Sequence, residues 1–316
     1  MKKAIGIDIG GTKISVVIGD ASGKIHAQKV IPTRTGNQVP QVLKEIVSAI
    51  QELVKPYPRK SLAGIGVGIP GPVNSKKGIV PCSPHLKGWE GLRLQKILES
   101  KTGLKTVLAN DANAAALGEK IFGQGRDVQD FIYMTVSTGI GGGVVVNGRL
   151  IEGTGYVAGE VGHMTLVPDG DSCKCGKTGC LEAYASGTAL ANFAKRELKR
   201  TGKSALPYMK DGQVTAQALG QAAKKGDALA IGVYRRCGFY LGIGVANLLN
   251  ILNPQKVVLG GGVWKSAPKE FWKSMMQSCR REAWPEAMKT VKILPSNLKG
   301  HAGDLGSLAL AFENFK

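Results

Sequence analysis

The feature of this sequence that most restricts its fold is a strand plan that occurs twice. Near the N-terminus the apolar run Ala4–Ile9 meets Gly10-Gly11-Thr12-Lys13. A second run, Ile14–Ile18, follows, then the turn Asp20-Ala21-Ser22-Gly23 and a third strand from Lys24. The same succession returns as Phe131–Val136, Ser137-Thr138-Gly139-Ile140-Gly141-Gly142-Gly143, Val144–Val146, the turn Asn147-Gly148 and Arg149–Glu152. Asn-Gly between short apolar runs is a strong hairpin signal, because both residues tolerate the positive φ of a tight turn. Strand, glycine turn, strand, tight turn, strand, in duplicate, implies an internally repeated architecture.

Helical and extended segments alternate around the two copies. Val42, Leu43, Ile46, Val47, Ile50, Leu53 and Val54 recur at helical spacing. Residues 62–73 alternate glycine with Ile and Val, a strand that permits close backbone approach, and end in Pro70-Gly71-Pro72. Further helices are expected at 92–100, 111–122, 186–200, 214–224, 227–252, 268–282 and 304–315, with strands at 106–109, 256–259 and 290–294. The helix ending near 252 stops at Asn253-Pro254, because proline excludes the α conformation from the residue before it. Strands interleaved with helices indicate an α/β class with mixed sheets, and 316 residues suit about two domains of ~150.

Composition narrows the function classes. The chain carries 42 Lys and Arg against 23 Asp and Glu, a net charge of +19, but the basic residues are dispersed and aromatics make up only 6%. That pattern reads as solvated surface rather than a nucleic-acid footprint. Asp8 interrupts the apolar stretch after Met1-Lys2-Lys3, so no signal-peptide core forms, and no run of ~18 apolar residues is present. Six cysteines, three of them scattered singly (Cys82, Cys237, Cys279), fit a reducing compartment. The expectation is a cytoplasmic protein with no membrane partner.

Four constellations carry chemistry. In Asp8-Ile9-Gly10-Gly11-Thr12-Lys13 the glycines let backbone N–H groups approach phosphate oxygens, Thr12 and Lys13 add donors, and Asp8 is placed to hold Mg²⁺ through water. A plain hairpin turn reads equally well from the same residues. The second glycine turn, with Thr138 and Gly139, stands at the equivalent point of the repeat, so two such turns facing each other would grip a nucleotide's phosphate tail. Gly260-Gly261-Gly262 after a strand is a third close-approach loop, suited to a base or ribose. Asn110-Asp111 ends a strand and opens a helix, either as an N-cap or as a carboxylate held for general-base work. Finally, His163, Cys173, Cys175 and Cys180 fall within 18 residues and make a Cys₃His set suited to tetrahedral Zn²⁺. With all four positions filled by protein, such a metal is structural rather than hydrolytic.

Taken together, Asp8-Ile9-Gly10-Gly11-Thr12, Glu160-x-Gly-His163, Cys-x-Cys-Gly-x-x-Gly-Cys180 and Gly260-Gly261-Gly262 resemble the ROK family of sugar kinases, repressors and open reading frames. The likeness covers nearly the whole chain and is nearest to the family's bacterial glucokinases. It implies a duplicated actin/hexokinase-like (ribonuclease H-like) α/β fold with a cleft between its domains, here 1–115 plus 304–316 and 116–303. It implies ATP, Mg²⁺ and structural Zn²⁺ as cofactors, a hexose as substrate, and a homodimer or homotetramer. By the same resemblance Asp111 is the catalytic base, while Asn110, Glu160, His163 and Glu182 hold sugar hydroxyls. Asp8, Gly10, Gly11, Thr12, Lys13, Thr138 and Gly139 serve the nucleotide phosphates, and Gly261 and Gly262 lie near the adenosine. Closure of two hinged domains would exclude water that otherwise hydrolyses ATP.

Two departures leave the sugar open. Ser137 stands where these kinases carry glycine, and His85 where glucokinases carry asparagine. Phe122-Gly-Gln-Gly125 and Glu182-Ala-Tyr-Ala-Ser186 also look like the family's N-acetylmannosamine kinases, so N-acetylmannosamine, N-acetylglucosamine and fructose are alternatives to glucose. A sugar-responsive repressor is the less favoured reading, since family repressors carry a helix-turn-helix ahead of the kinase-like part and only seven residues precede Asp8.

Overall fold

The computed structural model describes residues 1–81 and 86–315, so the expectations attached to Cys82 and His85 lie outside the described residues. Lys3–Ile9 (β1), Lys13–Asp20 (β2) and Ile25–Pro32 (β3) form an antiparallel meander. Val39–Val54 (α1) leads to Leu62–Ile69 (β4), and Leu94–Thr102 (α2) to Thr106–Asn110 (β5). β4 adds parallel to β1 and β5 parallel to β4, giving the order β3-β2-β1-β4-β5. Asp111–Phe122 (α3) follows β5 without a loop.

The second copy begins with Phe131–Val136 (β6), Ile140–Val146 (β7) and Arg149–Leu150 (β8). Next come Leu181–Ala185 (α4), Gly187–Thr201 (α5), the two-residue strands Met209–Lys210 (β9) and Gln213–Val214 (β10), Ala216–Lys224 (α6) and Ala228–Leu252 (α7). Lys256–Gly260 (β11), Gly262–Ser266 (α8), Lys269–Glu282 (α9), Pro285–Thr290 (α10), Lys292–Pro295 (β12) and Ala302–Asn314 (α11) complete the described chain. The second sheet has the order β12-β11-β6-β7-β8, with β11 parallel to both β6 and β12. Strand for strand this repeats the first sheet: β8-β7-β6-β11-β12 answers β3-β2-β1-β4-β5. The duplication read from the sequence is the duplication of the fold.

By packing, residues 1–129, 143–159 and 296–316 form one compact unit, and 130–142 with 160–295 form another. All of 1–115 and 304–316 fall in the first unit, which also takes in the rest of α3. Its core is aliphatic: Ile5, Ile7, Ile14, Val16, Ile18, Ile65 and Val67 are fully buried, each worth roughly 1.5–3 kcal/mol when removed from water. α1 presents Val42, Ile46, Ala49, Ile50 and Leu53 to this core at the spacing the sequence shows. The glycine alternation in β4 has a specific cause. A Cβ on Gly66 would run into the backbone of Ser307 in α11, whose hydroxyl donates to the Ile7 carbonyl at 2.9 Å.

In the second unit the 25-residue α7 is capped by Asp227, which accepts from the Ala230 N–H at 2.8 Å, and ends at Asn253 in the left-handed region before Pro254. Among the described residues no helix is long and apolar enough to cross a membrane. The strand expected from 290 starts at Lys292, because Pro285 opens the short helix α10 just before it. Basic side chains are partly engaged locally: Arg196 reaches Asp171 at 2.7 Å, and Arg196 and Arg236 both lie over the Phe193 ring.

Candidate functional site

In the first unit the C-terminal ends of β1, β4 and β5 lie side by side. Asp8 pairs in register with Gly68, and Gly68 with Ala109, one residue before Asn110. Gly68 lies against the start of α3: a Cβ there would stand 3.6 Å from the Asp111 Cα, an ordinary contact distance. Asn110 realises the capping reading: its Oδ1 accepts from the Ala112 and Asn113 N–H groups at 2.9 and 3.2 Å, and its Nδ2 donates to the Gly71 carbonyl at 3.1 Å. Asp111 is the first residue of α3, half-buried, with Oδ1 accepting from the Ala112 N–H at 2.8 Å.

Asp8 stands in a strongly negative place. Burial, reinforced by the charges of Asp111 and Asp304 and opposed by Lys13, raises its carboxyl to about 7. Asp304, in the first turn of α11, carries no local sequence signal for a site. It is 7% exposed, and its Oδ1 is buried with no hydrogen-bond partner among the described residues. Nothing local in the sequence links residues 8 and 304; only the packing of α11 on the first sheet brings them together. The turn after Asp8 is a hairpin, closed by the Gly10 N–H donating to the Lys13 carbonyl at 2.9 Å and held by the Thr33 hydroxyl donating to the Gly10 carbonyl at 2.6 Å. Gly11, Thr12 and Lys13 are exposed.

The second glycine turn, in the other unit, is held far more tightly. The Gly187 N–H donates to the Ser137 carbonyl at 2.7 Å, and Thr188 donates to the Thr138 carbonyl through its hydroxyl at 2.8 Å and its N–H at 3.3 Å. The Ile140 N–H donates to Glu182 Oε2 at 2.8 Å, and a Cβ on Gly139 would strike that carboxylate oxygen. Ser137 needs no glycine: it is not among the residues with positive φ, and its N–H closes the turn onto the Gly139 carbonyl at 2.9 Å. Gly260 pairs in register with Thr135, and a side chain on Gly261, at φ +97°, would collide with the Val136 carbonyl. The loop through Gly261 and Gly262 therefore lies beside the second turn.

His163, Cys173, Cys175 and Cys180 converge, with one ligand atom from each lying within 4.8 Å of all the others. Cys175 Sγ is 3.7 Å from Cys180 Sγ, and Cys173 Sγ is 3.8 Å from His163 Nδ1. Sulfurs at the corners of a tetrahedron with Zn–S bonds of ~2.3 Å are about 3.8 Å apart, so both the donor set and its spacing fit zinc. Burial pushes the Cys173 thiol up to about 12, which a dication at this point would reverse. His163 turns Nδ1 toward the sulfurs and Nε2 toward Glu160, whose Oε2 is 3.8 Å away. Glu182 Oε1 lies 3.8 Å from Cys173 Sγ.

The sequence model of the ROK family matches residues 4–314. The chain belongs to the ROK family. Among ROK proteins it is 36% identical to the glucokinase of Halalkalibacterium halodurans over 96% of this chain and 92% of the relative. It is 32% identical to the xylose repressor of Caldicellulosiruptor bescii, over 98% of this chain and 78% of that protein. A solved ROK glucokinase from Streptomyces griseus, in complex with glucose and AMPPNP, superposes with a TM-score of 0.82 at 33% identity, covering 98% of this chain and 99% of that one. The fold is thus the duplicated actin/hexokinase-like one of ROK proteins.

Within this ROK chain, the segment after α3 has a structural use. Fully buried Glu119 accepts from the Gln124 N–H at 2.8 Å through Oε2, so Gly123–Gly125 folds back as the cap of α3.

Proposed function

We propose that this chain is an ATP-dependent hexose kinase that phosphorylates the 6-hydroxyl of glucose. The observation that carries the reading is the pairing of Asp111, opening α3, with Asp8 at the end of β1, close enough for the charge of one to raise the carboxyl of the other. The kinship with a glucokinase solved with glucose and AMPPNP supports the same reading.

A sugar hydroxyl is a poor nucleophile. Asp111 accepts its proton as the oxygen attacks the γ-phosphorus; the bond from that phosphorus to the bridging oxygen breaks, and ADP leaves with the electron pair. The turns at Gly10–Lys13 and Thr138-Gly139 bind phosphate oxygens through backbone N–H groups, with Thr12 and Lys13 adding donors, and Gly261 and Gly262 lie under the adenosine. Mg²⁺, when bound, neutralises charge on the phosphate oxygens, and Asp8 would hold it through water. The crowding of Asp8 with Asp111 and Asp304 fits a cation there.

Asn110, Glu160, His163 and Glu182 orient the sugar. His163, Cys173, Cys175 and Cys180 would hold zinc, which supplies rigidity and no open position for water. Nδ1 faces the sulfurs, so His163 would ligate the metal through that nitrogen and offer Nε2 to a hydroxyl, and a bound metal would fix the orientation of that contact.

A coupled assay across glucose, mannose, fructose, N-acetylmannosamine and N-acetylglucosamine tests the proposal. Transfer to an N-acetylhexosamine or to fructose in preference to glucose replaces the sugar and leaves the chemistry. No transfer to any of them, together with a salt-sensitive DNA mobility shift, overturns it in favour of a repressor.

A further inference from the structure

We infer that the segment Cys180–Thr188 is a strap through which the metal cluster controls the second glycine turn, so that loss of the metal weakens nucleotide binding as well as sugar binding. The inference rests on the kinase reading above, and every contact it uses lies within one compact unit.

Cys180, a cluster residue, is the residue before α4; Glu182 is in the first turn of that helix; Ser186 caps α5; and Gly187 and Thr188 begin α5. From these nine residues four hydrogen bonds run to the turn. The Ile140 N–H donates to Glu182 Oε2, the Ser137 carbonyl accepts from the Gly187 N–H, and the Thr138 carbonyl accepts from both the N–H and the hydroxyl of Thr188. In the kinase reading the Thr138 and Gly139 N–H groups bind phosphate, and a turn whose carbonyls are held by the strap keeps their spacing fixed. Glu182 stands between the two features: Oε2 is on the turn and Oε1 is 3.8 Å from Cys173 Sγ.

The second arm of the cluster reaches the same point. The short helical turn Val161–His163 packs so closely on Ile140 that a Cβ on Gly162 would meet the Ile140 carbonyl. Ile140 is therefore clasped by residues flanking both His163 and Cys180. A metal that joins His163 to Cys180 fixes the spacing of the clasp. Without it, the strap and the turn must be ordered when nucleotide binds, and that ordering is subtracted from affinity.

The experiment is calorimetric titration of AMPPNP with Mg²⁺, and separately of glucose, into zinc-loaded, metal-stripped and reloaded protein. The same titrations are run on zinc-loaded Thr188→Val, Glu182→Ala and Glu182→Gln. No turnover is required, and Thr188 touches neither the cluster nor the residues assigned to sugar. Thr188→Val removes one hydrogen bond to the turn, worth about 1 kcal/mol, so AMPPNP affinity should fall ~5-fold with glucose affinity within twofold of wild type. Stripping the metal should weaken both ligands, and reloading should restore both. Glu182→Ala should weaken both, whereas Glu182→Gln, whose amide oxygen still accepts from the Ile140 N–H, should recover the AMPPNP affinity and not the glucose affinity. If stripping weakens glucose alone and Thr188→Val leaves AMPPNP within twofold, there is no strap. Zinc-loaded wild type that binds neither ligand sinks the kinase reading instead, and this inference with it.

Discussion

The two glycine turns occupy equivalent places in a duplicated sheet, yet they are held in different ways. The turn at Gly10–Lys13 is a hairpin whose tip is exposed, fastened chiefly by Thr33. The turn at Ser137–Ile140 is bound by four hydrogen bonds to the α4–α5 segment and stands next to the Cys₃His cluster. Duplication supplied the same strand ends twice; the insertion between β8 and α4 specialised one of them. In the kinase reading the first unit carries the proton chemistry with one phosphate turn and Asn110, and the second carries the other phosphate turn, the metal cluster and the remaining sugar ligands, so damage at Asp111 and at the cluster should produce different kinetic signatures.

The largest effect should come from the first unit. Asp111→Asn should cut kcat by ~10²–10⁴-fold, the usual worth of a general base, while glucose binding measured by calorimetry stays within a few-fold. A fully active variant would show that the base lies elsewhere. Damage to the second unit should read out in KM. Chelation of the metal should raise the KM for glucose by ~5–10-fold, about the worth of the one hydrogen bond that an oriented His163 would offer the sugar. Unaltered steady-state kinetics in demonstrably metal-free protein would refute that role.

A matched pair of glycine substitutions compares the turns directly. Gly11→Ala meets nothing within 4 Å, so the melting temperature of the ligand-free protein should hardly move. Gly139→Ala drives the Glu182 carboxylate off the Ile140 N–H and should destabilise the protein by about 1–3 kcal/mol. Equal melting temperatures would mean that the second turn is no more firmly held than the first.

The smallest effect is a pH dependence confined to the first unit. The Asp8 carboxyl is raised to about 7 from its ordinary 3.8, so the folded form binds its proton more tightly than the unfolded chain does. Its contribution to stability is complete below pH ~4 and is lost as pH rises through 7. Asp8→Asn in nucleotide- and Mg²⁺-free protein should therefore match wild type near pH 4 and melt higher at pH 8, by about 2–4 °C for each kcal/mol regained. A constant difference across that range would remove the electrostatic explanation.

Local signals made much of this legible in the sequence. Hairpin turns, the strand-to-helix junction at Asn110-Asp111 and the Cys-x-Cys…Cys spacing are each written within a few residues, and each corresponds to a local structure the fold contains. What sequence did not disclose depends on distant packing. Asp304 joins Asp8 only because Gly6 and Gly66 admit α11 against the first sheet. Thr188 reads in sequence as an ordinary first-turn residue, and its hydroxyl finds the Thr138 carbonyl only once α5 is seated. The glutamate in Glu182-Ala-Tyr reads as a sugar ligand, with nothing nearby to show that one of its oxygens is committed to a backbone N–H.

The seating of α11 also bears on biosynthesis. Strands β1, β4 and β5 leave the ribosome before the second unit is made, but the helix that covers them, Ala302–Asn314, follows that whole unit in the chain. Until the second unit has been made, the nascent first sheet has one greasy face without its lid. The segment that closes that face is the one that carries Asp304, so closure of the sheet and completion of the acidic trio coincide.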